Sequence, residues 1–66
     1  MNTERTARLL SELRGKRTQA QIAEALGLKT SVISMYENGK RFPSDEVKKK
    51  YADLFGRTVQ FIFFRD

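Results

Sequence analysis

Apolar residues fall in short helical stripes along this chain, each closed by a glycine or a turn. Ala7, Leu10 and Leu13 or Arg14 follow the helical repeat near the N-terminus, and Leu9 widens their stripe. Asn2 or Thr3 is placed to cap this first helix, Glu4 suits its positive end, and Gly15 supplies the stop. Gln19, Ile22, Ala23 and Leu26 make the next stripe, with Leu28, Ile33 and Tyr36 in another and Gly27 between them. Thr18 and Gln21 have the Thr-x-x-Gln spacing of a capping box, which specifies where the second helix begins. Ala23 is small enough to let a neighbouring helix cross closely.

The third helix is expected from about Thr30 to Tyr36. Ile33 and Tyr36 share its inner face, while Thr30, Ser31, Ser34, Met35 and Asn38 share the other. Two short helices meeting at a tight glycine turn make a helix-turn-helix unit. Asn38 and Gly39 then signal a turn, followed by Lys40, Arg41 and Phe42. Pro43, Ser44, Asp45 and Glu46 form a strong helix start. Val47, Tyr51, Leu54 and Phe55 are its expected core positions, the lysines at 48 to 50 its expected wet side, and Gly56 its end.

The last segment reads two ways. Thr58 can cap a short helix containing Val59, Ile62 and Phe63, yet Val59, Phe61 and Phe63 also alternate with Gln60, Ile62 and Phe64 as in a strand. The chain has no other strand candidate, so a lone strand would need a partner molecule to satisfy its backbone. A helix is favoured, and the expected fold class is all-α. The run from Phe61 to Phe64 is more apolar than so small a chain easily buries, which makes Val59, Phe61, Ile62, Phe63 and Phe64 a candidate dimer interface.

Composition narrows the chemistry. The 66 residues are expected to make a single domain, 1–66, with no room for a ligand-binding or peptidase domain. Thirteen basic against eight acidic side chains give a net charge of +5, and a sequence pI near 10.0 favours a polyanionic partner. Cysteine and histidine are both absent, which excludes disulfides, thiol or imidazole nucleophiles and soft-metal ligand sets. No metal, cofactor or small-molecule substrate is expected. Glu4, Glu12, Glu24, Asp45 and Glu46 are accounted for as helix-start acids or solvated positions, so no enzyme is expected. The N-terminus is charged too early for a signal peptide and no apolar run is long enough for a membrane span, so a soluble, cytoplasmic protein is expected. The outer face of the third helix is short, uncharged and rich in hydroxyls and amide, a surface able to approach a groove floor.

The run TQAQIAEALGLKTSVISMYENGKRFP resembles the Cro- and repressor-type helix-turn-helix family of bacterial and phage transcription regulators. The residues that carry the likeness are Gln19, Ala23, Gly27, Ser34, Glu37, Gly39, Lys40, Arg41 and Pro43. LLSELR resembles the family's first helix and YADLFGRTVQFIFF its last two. The resemblance implies a compact five-helix bundle whose third helix enters the DNA major groove. Position by position, it implies that Thr30, Ser31 and Met35 face base edges. Gln19, Ser34, Tyr36, Asn38 and Lys40 lie at or near phosphate-contacting positions, and Arg41 follows them in the loop. Lys29 stands where many members have a Ser or Thr cap; it cannot accept a backbone hydrogen bond but can reach a phosphate. Arg14 and Glu37 match a structural ion pair. Phe61 departs from a position that is often acidic, and the turn from Gly15 to Arg17 is shorter than usual.

Hydroxyls read bases weakly and Met35 offers an apolar contact suited to a thymine methyl, so direct readout is expected to be modest and phosphate contacts dominant. The leading expectation is a small repressor binding double-stranded DNA as a homodimer on a two-fold operator. The alternative is a protein-interaction module, an antitoxin or antirepressor, that uses the Phe-rich end.

Overall fold

The computed structural model describes residues 3–64, in which the chain forms α1 (Thr3–Arg14), α2 (Gln19–Leu26), α3 (Thr30–Glu37), α4 (Asp45–Phe55) and a terminal π-helical turn (Gln60–Phe64). Among these residues there is no strand, and none of the helices is long and apolar enough to cross a membrane. Thr3 is the first residue of α1, and the alternative cap, Asn2, lies outside the described residues.

Local chemistry sets the helix ends. Thr18 is extended, its Oγ1 accepts from the Gln21 N–H at 3.0 Å, and Gln21 Oε1 accepts from the Thr18 N–H at 2.8 Å. The capping box therefore satisfies two donors that α2 leaves open. Gly27 adopts φ 72°, a left-handed conformation that other residues reach only with strain, and the Leu28 N–H then returns to Ala23 O at 2.9 Å. Ser44 Oγ accepts from the Val47 N–H at the start of α4. At the last segment Thr58 Oγ1 accepts from the Phe61 N–H at 3.0 Å, so the helical reading holds, in π form. Arg5 of α1 closes this turn by donating from Nη1 to Ile62 O and from Nη2 to Phe61 O, each at 3.1 Å.

The core is built around α3, which packs against both α2 and α1. Leu10, Ile22, Ile33, Tyr51, Ile62 and Phe63 are its fully buried large side chains. Ala23 is buried where α2 packs against α3, as its size requires. Tyr51 lies edge-on to Tyr36 and tilted against Phe55 and Phe63, so aromatic packing joins α3, α4 and the terminal turn.

Three sequence expectations are corrected by burial. Ile62 and Phe63 belong to the core, at 0% and 1% exposure, and are not surface candidates; of the proposed interface only Phe64 is well exposed, with Val59 and Phe61 half-buried. The Ile62 and Phe63 side chains both pack into the same hydrophobic core as Leu10, Ile33 and Tyr51. Leu54 and Phe55 are rim rather than core: they sit half-buried against the edge of the core in the last turn of α4, which Gly56 closes. Lys48 is buried, not wet: its ammonium sits 4.8 Å from the Phe42 ring centroid and 4.7 Å from that of Phe64, with Asp45 Oδ1 at 3.4 Å. Lys49 and Lys50 are exposed, as expected.

Candidate nucleic-acid interface

Helix α3 turns its apolar side inward through Ile33 and Tyr36 and leaves Thr30 and Ser31 exposed, with Ser34 and Met35 half-buried beside them. The face the hydroxyl-rich pattern indicated is therefore the accessible one. Lys29 precedes the helix in an extended conformation and makes no side-chain cap, and its side chain stays exposed. Asn38 closes the other end, where its Nδ2 donates to Ser34 Oγ at 3.3 Å. That bond uses an acceptor site of Ser34 and leaves the hydroxyl hydrogen to be donated elsewhere. The Lys40 N–H returns to Met35 O at 3.0 Å, fixing the path into the exposed pair Lys40 and Arg41.

Tyr36, included with the phosphate-contacting positions, is 4% exposed and edge-on to Tyr51. Its main work is packing, and only that small remainder can meet a phosphate. Gln19 is also partly committed, because its Nε2 donates to Glu37 Oε1 at 3.1 Å.

Glu37 ties these elements together. Arg14 Nε donates to Glu37 Oε2 at 2.8 Å and Arg14 Nη2 to Oε1 at 3.0 Å, a fork-to-fork pair in which the glutamate side chain is 5% exposed. Arg14 Nη1 also reaches Arg17 O at 2.8 Å. The guanidinium is held even more firmly protonated than usual, chiefly by the hydrogen bond to Glu37 against an opposing burial cost. The ion pair the resemblance implied is thus present, and the short turn after Gly15 does not prevent it. Between Ala25 and Ser44 the sequence contains one acid, Glu37, and it is this buried, paired one. The cations Lys29, Lys40 and Arg41 are exposed over the same stretch. Around α3 the surface is consequently positive with no exposed carboxylate of its own, which suits a phosphate backbone.

A helix-turn-helix family model matches residues 10–62, which include α2, α3 and the surface just described. The chain belongs to the Cro- and repressor-type helix-turn-helix family. It is a DNA-binding helix-turn-helix regulator, and the family is one of regulators rather than enzymes. Among curated proteins and among solved structures there is no match to this chain.

Within that helix-turn-helix frame, three participants were not legible in the sequence. Arg5 grips the terminal turn, Gln19 is tethered to Glu37, and Phe42 packs edge-on against Phe63 at 5.8 Å between ring centroids. Phe42 directly follows Lys40 and Arg41, and an aromatic residue in a turn beside a proline is the one signal that could have pointed to it.

Proposed function

We propose that this chain is a small repressor that binds a two-fold operator as a homodimer, with α3 in the major groove. Thr30, Ser31 and Met35 face base edges in this reading. Lys29, Ser34, Asn38, Lys40 and Arg41 contact phosphates, together with Gln19 through the donors its bond to Glu37 leaves over. The observation that carries it is the combination on one surface of a short, uncharged helix face and exposed cations, with the only local acid internally paired. Hydroxyl and thioether contacts discriminate bases less than a bidentate arginine does, so each mismatch should cost near the lower end of the usual range of about 1 to 3 kcal/mol.

The dimer would form through the half-exposed apolar rim of Leu54, Phe55, Val59 and Phe61 with the exposed Phe64. Two half-sites should then lie about 34 Å apart, one turn of the double helix. Selection from a random DNA pool tests both parts at once. A paired half-site with that spacing is the expected outcome, whereas recovered sequences with no shared motif would reject the operator, and an unpaired half-site would reject the homodimer.

A further inference from the structure

The loop that carries Lys40 and Arg41 is seated on the terminal turn, Gln60–Phe64. Phe42, the next residue, packs edge-on against the buried Phe63 and lies over the ammonium of Lys48. The same ammonium lies 4.7 Å from the Phe64 ring centroid, so one cation contacts both an aromatic ring of the basic loop and an aromatic ring of the terminal turn. Among the described residues Asp45 Oδ1, at 3.4 Å, is its charged partner. The terminal turn is itself anchored to α1, by the two bonds from Arg5 to Phe61 O and Ile62 O. A cation shielded from water interacts with ring faces more strongly than an exposed one, so this shared contact is a defined joint rather than an incidental one.

Lys48 is unusual in another way. A lysine that served only solubility would extend into water, as Lys49 beside it does; Lys48 instead has a side chain 8% exposed. Its burial makes sense as a mechanical part. The Phe42 and Phe64 rings share one ammonium, and the backbone leaving Phe42 towards Arg41 and Lys40 inherits that position.

We infer that Phe42, Lys48 and Phe64 are positioning residues for DNA binding: through them the C-terminal turn sets where Lys40 and Arg41 meet the phosphate backbone. This rests on the proposed phosphate contacts of Lys40 and Arg41 and adds the element that holds them. It also joins the two ends of the function, since the rim proposed for dimerisation and the loop proposed for DNA share the same turn. An event that moves Phe64 should be felt at Arg41.

The test uses a mixed-sequence DNA duplex, because phosphate contacts are independent of sequence. Affinity is measured across a salt series for the whole chain, for Lys48→Met, for Phe64→Ala, and for the exposed control Lys49→Met, which removes the same charge. Lys48→Met and Phe64→Ala should each flatten the slope of log affinity against log salt by about 1 to 2 per protomer, as expected when one or two phosphate contacts are lost. In a Lys40→Ala/Arg41→Ala background the same two changes should have no further effect on slope. A thermal melt accompanies each variant, because general loosening would lower affinity without that selective loss. Slopes unchanged from Lys49→Met in both variants, or undiminished effects in the doubly substituted background, would overturn the inference. If the unsubstituted chain bound the duplex with no salt dependence, the DNA-contact reading itself would fail instead.

Discussion

At the scale of single residues, the distribution of water decides which polar groups matter. Glu37 has a nearly enclosed carboxylate, while Arg14 keeps a side chain 21% exposed and a second acceptor in Arg17 O. Removing the arginine therefore strands a buried charge on Gln19 alone, whereas removing the glutamate lets the guanidinium turn to water. Arg14→Met should cost about 2 to 4 kcal/mol and Glu37→Ala about half of that, from the penalty of an unpaired buried ion. Urea unfolding of the two variants checks the order; equal losses of a few tenths would show that the pair is a surface ornament. Tyr51 presents the opposite case. Its hydroxyl is buried with no hydrogen-bond partner among the described residues, and burial, reinforced by the nearby Glu37 and Tyr36, pushes its ionisation well above the usual tyrosine value. The folded state then keeps a proton that the unfolded state loses, so this residue's contribution is complete below about pH 10 and declines as pH rises beyond it. Tyr51→Phe should raise stability at neutral pH by up to about 1 kcal/mol by deleting an unsatisfied group. It should also lessen the loss of stability above about pH 10, and a variant as alkali-sensitive as the parent would contradict the assignment.

At the scale of elements, the boundaries follow from short-range chemistry and were therefore readable in advance. Thr18 with Gln21, Ser44 with its following acids, and Thr58 each act within three residues of their own position, so no knowledge of the fold was needed to place them. Gly27 is the sharpest instance. A Cβ there would meet nothing within 4 Å, so the glycine is required by its φ of 72° and not by crowding. Gly27→Ala should cost about 1 to 2 kcal/mol, the strain of a left-handed alanine, and chemical denaturation with an unchanged m-value would report it. A loss below a few tenths would mean that the turn relaxes. Lys48, Ile62 and Phe63 were misplaced for the converse reason. Their burial is completed by Phe42, by α1 and by Tyr51, which belong to other elements, although Lys48 stands three residues before the buried Tyr51 and Ile62 and Phe63 share a helical stripe with Val59. The period of the last segment was ambiguous because a π-helical turn matches neither the repeat of an α-helix nor that of a strand. Arg5, far away in α1, helps to hold it.

At the scale of the whole molecule, the site inherits its shape from a core that is shared out among all the elements. The hydroxyl-rich face of α3 was legible because an outward face shows in the sequence as the residues the core does not use. The ion pair at Glu37 became legible only through resemblance, since nothing in the spacing of Arg14 and Glu37 brings α1 to the end of α3. In the proposed reading most of the affinity would come from Lys29, Lys40, Arg41 and the open donors around α2 and α3, and only a modest share from Thr30, Ser31 and Met35. Equilibrium titration of the sequence recovered by selection, against a scrambled duplex of the same length over a range of salt, tests that division most directly. Both duplexes should bind with steep slopes, several ions released per protomer, and the selected one should keep a preference that persists as salt rises. Binding that ignored salt, or that never distinguished the two duplexes, would contradict the account.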